Sequence, residues 1–143
     1  MAADSSRPPM VITHEGGMKF AAQVRSHRIV VDQPERAGGS DTGPMPIELL
    51  GVSLGTCVAL YVQQFCQSRD IPYEGMRVQV QQHSAANPNR IGEFVLRIVL
   101  PTELPEHQEE MLERVAASCP AHHTLTQGAR VTVHVEMGER IVC

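Results

Sequence analysis

The chain has 143 residues, of which 42% are apolar and 20% charged, the composition of one ordinary globular domain. Its formal net charge of −4 argues against a nucleic-acid partner, which selects a basic face. Four cysteines beside a core of this size do not make a small secreted disulfide scaffold, and they fit a reducing cytoplasm as inert, metal-binding or redox-active thiols. Aromatics are scarce (three Phe, two Tyr, no Trp), so Leu, Val, Ile and Met must build the interior. Residues 1–9 (MAADSSRPP) are polar, lack an apolar signal core and read as a disordered tail of a cytoplasmic protein.

Met10 to Thr13 and Lys19 to Val24 read as strands joined through the Gly16-Gly17 turn signal, and Arg28 to Val31 makes a third. Residues 33–44 (QPERAGGSDTGP) form a loop rich in turn formers. The stretch Pro46 to Arg69 is then the main helix. It has a proline suited to the first helical position, Glu48 in the first turn where the dipole favours a carboxylate, and Pro72 beyond its end. From Leu49 to Val62 no residue is charged and apolar side chains fall on every side, so the helix is expected to be buried all round. Its apolar run falls short of the roughly 20 residues that cross a bilayer, so no membrane insertion is expected. One small sheet covers one side of such a helix, and a second subunit is expected over the other.

Met76 to Gln82 and Gly92 to Leu100 alternate with period two and read as half-buried strands around a turn at Asn87-Pro88-Asn89. Pro105 opens a second helix with Glu106, Glu109 and Glu110 near its N-terminus, reaching Cys119. A short helical turn, Ala121 to Thr126, precedes Gly128, and Arg130 to Glu136 reads as a last strand with Val131, Val133 and Val135 on one face. The order β-β-β-α-β-β-α-β is an α+β fold, an antiparallel sheet carrying a long central helix. Without an internal repeat or linker, residues 1–143 are expected to be a single domain.

Two cysteines stand at constrained positions. A cysteine inside an apolar helix is ordinarily a small buried hydrophobe, and Cys57 has that reading beside the chemical one. Cys119 precedes Pro120, and free N–H groups of a helical turn starting there would favour a thiolate. Cys66 and Cys143 are expected to be bystanders. Cys119, His122 and His123 supply only half of a paired zinc spacing, so no metal and no other cofactor is expected. The glycine-rich residues 38–43 lack P-loop spacing, and no G-x-S-x-G elbow is present.

The runs Gly43-Pro44-Met45-Pro46-Ile47-Glu48-Leu49-Leu50, Leu54-Gly55-Thr56-Cys57 and Cys119-Pro120-Ala121-His122-His123-Thr124-Leu125 together resemble the OsmC/Ohr family, the osmotically inducible and organic hydroperoxide resistance proteins. The resemblance spans about residues 10–137. It implies an intertwined homodimer with the long helices at its centre. It also implies a thiol peroxidase in which Cys57 attacks a hydroperoxide, Cys119 resolves the sulfenic acid to a disulfide, and a dithiol reductant closes the cycle. Hydroperoxide-resistance members activate the first cysteine with a glutamate after the helix-opening proline and an arginine near the first hairpin. Here Ile47 follows Pro46 and the carboxylate is Glu48, while Arg25 and Arg28 are the arginines available, placing the chain in the OsmC-like branch. A non-catalytic dimer binding an apolar ligand or redox partner between its helices is the alternative.

Overall fold

The computed structural model describes residues 6–138. Three strands, β1 (Val11–His14), β2 (Phe20–Val24) and β3 (His27–Val31), form an antiparallel sheet in the order β1-β2-β3. The β1–β2 turn uses Gly16 and Gly17, both at positive φ, which glycine adopts without strain. Helix α1 (Pro46–Gln67) follows, then the hairpin β4 (Arg77–Ala85) and β5 (Arg90–Val99), and helices α2 (Glu106–Ala116) and α3 (Pro120–Gln127). This is the expected α+β class with antiparallel sheets.

The core forms where α1, α2 and α3 meet the β4–β5 hairpin. Leu54, Val58, Val62 and Phe65 of α1 pack with Leu112 and Ala116 of α2, and with Cys66 and Cys119. The alternation predicted for the hairpin is realised: Val78, Val80, Leu96 and Ile98 are partly buried while Gln79, Gln81 and Arg97 face solvent. Pairing Val78 with Ile98 and Val80 with Leu96 puts these side chains on one face. Fully burying a Val or Phe is worth about 1.5–3 kcal/mol, so this cluster holds α1 against the hairpin. Gly51 and Gly55 permit the approach, since a Cβ on Gly55 would lie 2.7 Å from Val80 Cγ2.

The expectation that α1 is buried all round fails within the protomer. Leu50, Val52 and Leu60 are 44%, 57% and 53% exposed, because the hairpin, α2 and α3 cover one face only. Nor is α1 too short for a membrane: at 22 residues and mean hydropathy 1.5 it is long and apolar enough to cross one. What marks it as a core helix is the sheet and helices packed on it. The three N-terminal strands pack on one another and make no comparable contact with α1. Their register places Ile12, Phe20 and Ile29 on one face, and all three are exposed.

The predicted last strand is absent from the protomer. Residues 130–136 have no ladder partner, and Val131, Val133 and Val135 are 82%, 79% and 80% exposed. A strand needs an edge to pair with, and no strand among the described residues takes this segment. Of the expected N-terminal tail, residues 6–9 carry no strand or helix, and residues 1–5 lie outside the described residues, as does Cys143.

Candidate functional site

Helix α1 places Cys57 at the border between its buried and exposed faces. Leu54 and Val58 beside it are buried, whereas Ser53 and Thr56 are exposed and Cys57 itself is intermediate. Cys119 is fully buried and is the N-cap of α3, with extended backbone and Pro120 at the first helical position. The backbone N–H of His122 donates to Cys119 Sγ at 3.3 Å. Packing of α3 on α1 sets Cys57 against the cluster that holds Cys119, near enough for the Cys57 thiol to bear on the ionisation of Cys119.

The helix turn at Pro120 does not lower the Cys119 pKa overall, contrary to the sequence expectation. Burial pushes the thiol up, the His122 N–H opposes this, and the nearby Cys57 thiol adds to the rise. Two N-terminal N–H groups are outweighed where water is excluded. Cys119 is therefore held as a thiol beside a more accessible partner. Cys66 is buried, its thiol likewise raised by burial. It is nine residues from Cys57, about half a turn round the helix at roughly 100° per residue.

The other candidates stand elsewhere. Glu48 accepts a hydrogen bond from the Met45 N–H at 2.8 Å and so caps α1. Nine residues before Cys57, it faces the opposite side of the helix. Arg28 Nη2 donates to Glu15 Oε1 at 2.6 Å and to Oε2, and this pairing lowers the Glu15 pKa. Lys19 stands 4.0 Å from the same carboxylate. Arg25 occupies the β2–β3 turn at φ 55, with its carbonyl accepting from Gln23 Nε2 at 2.7 Å. Among the described residues no bond joins Glu48, Arg25 or Arg28 to Cys57 within the protomer. His122 and His123 meet edge to face, ring centroids 5.9 Å apart, and no three His, Cys, Asp or Glu side chains among the described residues gather as metal ligands.

A groove of about 630 Å³ runs along α1 against β4, lined by Glu48, Gly51, Gly55, Thr56, Val80 and Gln82. Its helix residues lie on the far side of α1 from Cys57, so the groove and the thiol pair are separate features.

Asp32 was not among the residues expected to matter. Buried to 1% exposure, it accepts hydrogen bonds from the Gln33, Ser40 and Thr42 N–H groups and, at 2.6 Å, from Thr42 Oγ1. The Thr42 hydroxyl foremost, then these N–H groups against the opposing effect of burial, lower its pKa from 3.8 to about 2. The Asp32 N–H donates to the Pro44 carbonyl at 3.2 Å. One carboxylate thus folds the loop that leads into α1. The signal lay in an Asp entering a loop with Ser40 and Thr42, both donors to short acidic side chains.

A family model described as OsmC-like protein matches residues 38–134. The chain belongs to the OsmC-like family. Among solved structures it is similar to an osmotic stress induced and detoxification response protein from Psychrobacter arcticus, at 23% identity over 80% of this chain and 85% of that one, TM-score 0.74. An OsmC-like protein from Mycoplasma pneumoniae aligns at 19% identity over 82% and 86%, TM-score 0.71. An organic hydroperoxide resistance protein from Legionella pneumophila aligns at 18% identity over 82% and 89%, TM-score 0.57. At these identities the likeness carries the fold alone. A search of curated proteins found no match.

Proposed function

We propose that the chain is a cysteine-based peroxidase that reduces organic hydroperoxides in oxidative-stress defence, working as a cytoplasmic single-domain homodimer with a dithiol reductant. The observation that carries this reading is that α1 and α3 pack Cys57 against the buried cluster that holds Cys119. Membership of the OsmC-like family and the fold shared with a hydroperoxide resistance protein support it.

The difference in exposure supports the division of roles. Cys57 is the more accessible sulfur, so a peroxide meets it first. Its thiolate attacks one peroxide oxygen, the O–O bond breaks, and an alcohol leaves with a proton while Cys57 becomes a sulfenic acid. Cys119, in the cluster against which Cys57 packs, attacks the Cys57 sulfur to give a disulfide and water. A dithiol then restores both thiols by exchange. The apolar residues near Cys57, Leu50 and Leu54, favour an alkyl substituent, since burying each CH2 is worth about 0.8 kcal/mol.

Peroxide consumption with a dithiol reductant, wild type against Cys57→Ser, tests the reading. Turnover should vanish in the variant. Equal consumption by both proteins, or none by the wild type, would leave the α1–β4 groove and a non-catalytic binding role.

A further inference from the structure

The groove between α1 and β4 plays no part in the thiol chemistry above, and its volume of about 630 Å³ is that of a small-molecule site. Its floor is apolar and open because α1 presents Gly51, Gly55 and Ala59 there, facing Val78 and Val80 of β4. From Glu48 to Ala59 the helix rises roughly 16 Å, at about 1.5 Å per residue, so an extended apolar chain has room to lie along it.

Three polar side chains border this floor, Glu48, Thr56 and Gln82. The Thr56 hydroxyl donates to the Val52 carbonyl at 2.8 Å. Gln82 donates from Nε2 to the Ile47 carbonyl at 2.8 Å, which fixes the orientation of the amide. Its Oε1 is left over the helix, 3.0 Å from where a Cβ on Gly51 would stand. Glu48 accepts the Met45 N–H on Oε2, and no hydrogen bond among the described residues uses its Oε1. These side chains therefore hold acceptor oxygens out to a ligand, one of them charged. No lysine, arginine or histidine among the described residues lines the groove. A carboxylate ligand would be repelled by Glu48, whereas an ammonium would pair with it. The positive end of the helix dipole opposes a cation there by about half a charge, and the full charge of Glu48 outweighs it.

We propose that the α1–β4 groove binds an amphiphilic cation, a primary ammonium carrying an apolar chain. The ammonium sits at Glu48 with Gln82 Oε1 as its second acceptor, and the chain lies over Gly51 and Gly55 against Val80. The inference is independent of the peroxidase reading, since Cys57 lies on the other side of α1.

The test titrates octylammonium into the full-length reduced protein and follows the amide chemical shifts. Saturable shifts should centre on Gly51, Gly55 and Val80. Octanoate, equal in chain length and opposite in charge, should bind at least about fivefold more weakly, the upper range for one exposed ion pair. Methylammonium, which lacks the chain, should not saturate. Glu48→Gln keeps an acceptor for the Met45 N–H and should weaken octylammonium about fivefold, bringing it level with octanoate. Thr56→Lys, at an exposed position, leaves the helix cap untouched and should abolish octylammonium binding. Equal binding of octylammonium and octanoate by the wild type overturns the inference, as does an octylammonium affinity unchanged in both variants. Absence of any saturable shift in the wild type at millimolar octylammonium overturns it too, the result expected where a second copy of the chain lies over the groove.

Discussion

Replacing Cys119 by serine should leave one round of Cys57 oxidation intact and stop there. The sulfenic acid would then persist and over-oxidise, visible as a mass gain of two oxygens on Cys57 after excess peroxide. A Cys119→Ser protein that turns over at the wild-type rate would mean that Cys119 is not the resolving thiol. Asp32 supports a different prediction. Its pKa is lowered to about 2 in the folded chain, so the ionised form is favoured by folding. The stability this contributes is present above the unfolded value of about 3.9 and is lost as pH falls through the folded one. Thermal melts of the wild type and Asp32→Asn at fixed protein concentration should therefore differ most at neutral pH and converge between about pH 4 and 2. A constant difference across that window would show that Asp32 acts through shape alone.

The two glycines of α1 read the contact between helix and hairpin. A Cβ on Gly55 would lie 2.7 Å from a Val80 methyl, whereas one on Gly51 meets the Gln82 side-chain amide at 3.0 Å. Overpacking costs about 1–3 kcal/mol, and replacing a mid-helix glycine returns about 0.5–1 kcal/mol. Gly55→Ala should thus destabilise by about 1 kcal/mol. Gly51→Ala should be near neutral, because the flexible Gln82 amide can shift. Denaturant titration at fixed concentration checks the pair, and the reverse order would refute this account of the packing. Both glycines were legible as small residues on a helix, but their partner strand was not, since sequence spacing does not say which strand lies beneath a helix. The β4–β5 hairpin was readable because alternation at Val78, Val80, Leu96 and Ile98 is a local property of a half-buried strand. The same alternation at Val131, Val133 and Val135 misled, because pairing depends on an edge that this chain does not offer it. The meeting of Cys57 with Cys119 depends on how α3 docks on α1. No local pattern encodes that, and the expectation came from family resemblance. Asp32 escaped notice because its four donors come together only once the loop has closed.

At the scale of the molecule, the protomer presents surfaces that a lone chain rarely leaves in water. Val52 and Leu60 are more than half exposed on α1, and Ile12 is 62% exposed on the apolar face of the β1–β3 sheet. The valines of residues 131–135 add a third apolar surface. Contiguous exposed apolar area of this kind marks an interaction site. Each surface lacks what another has: the sheet face lacks a helix, α1 lacks a sheet on its exposed side, and residues 130–136 lack a strand edge. A two-fold arrangement meets such needs reciprocally, because each copy gives what it receives. We therefore expect a homodimer burying about 2,000 Å² or more, the range of obligate interfaces. Light scattering at low micromolar concentration should report twice the 15.7 kDa chain mass. Leu60→Glu, on the exposed side of α1, sets a charge where the second copy would lie. It should shift the population toward monomer and lower the melting temperature, with the wild type's melting temperature rising with protein concentration. Gln64→Glu, one turn further along the same exposed side, tests how far the interface extends and should weaken the dimer less, since a polar side chain is already present there. A folded, monodisperse wild-type monomer at that concentration would sink the proposal. The exposed valines would then need another partner.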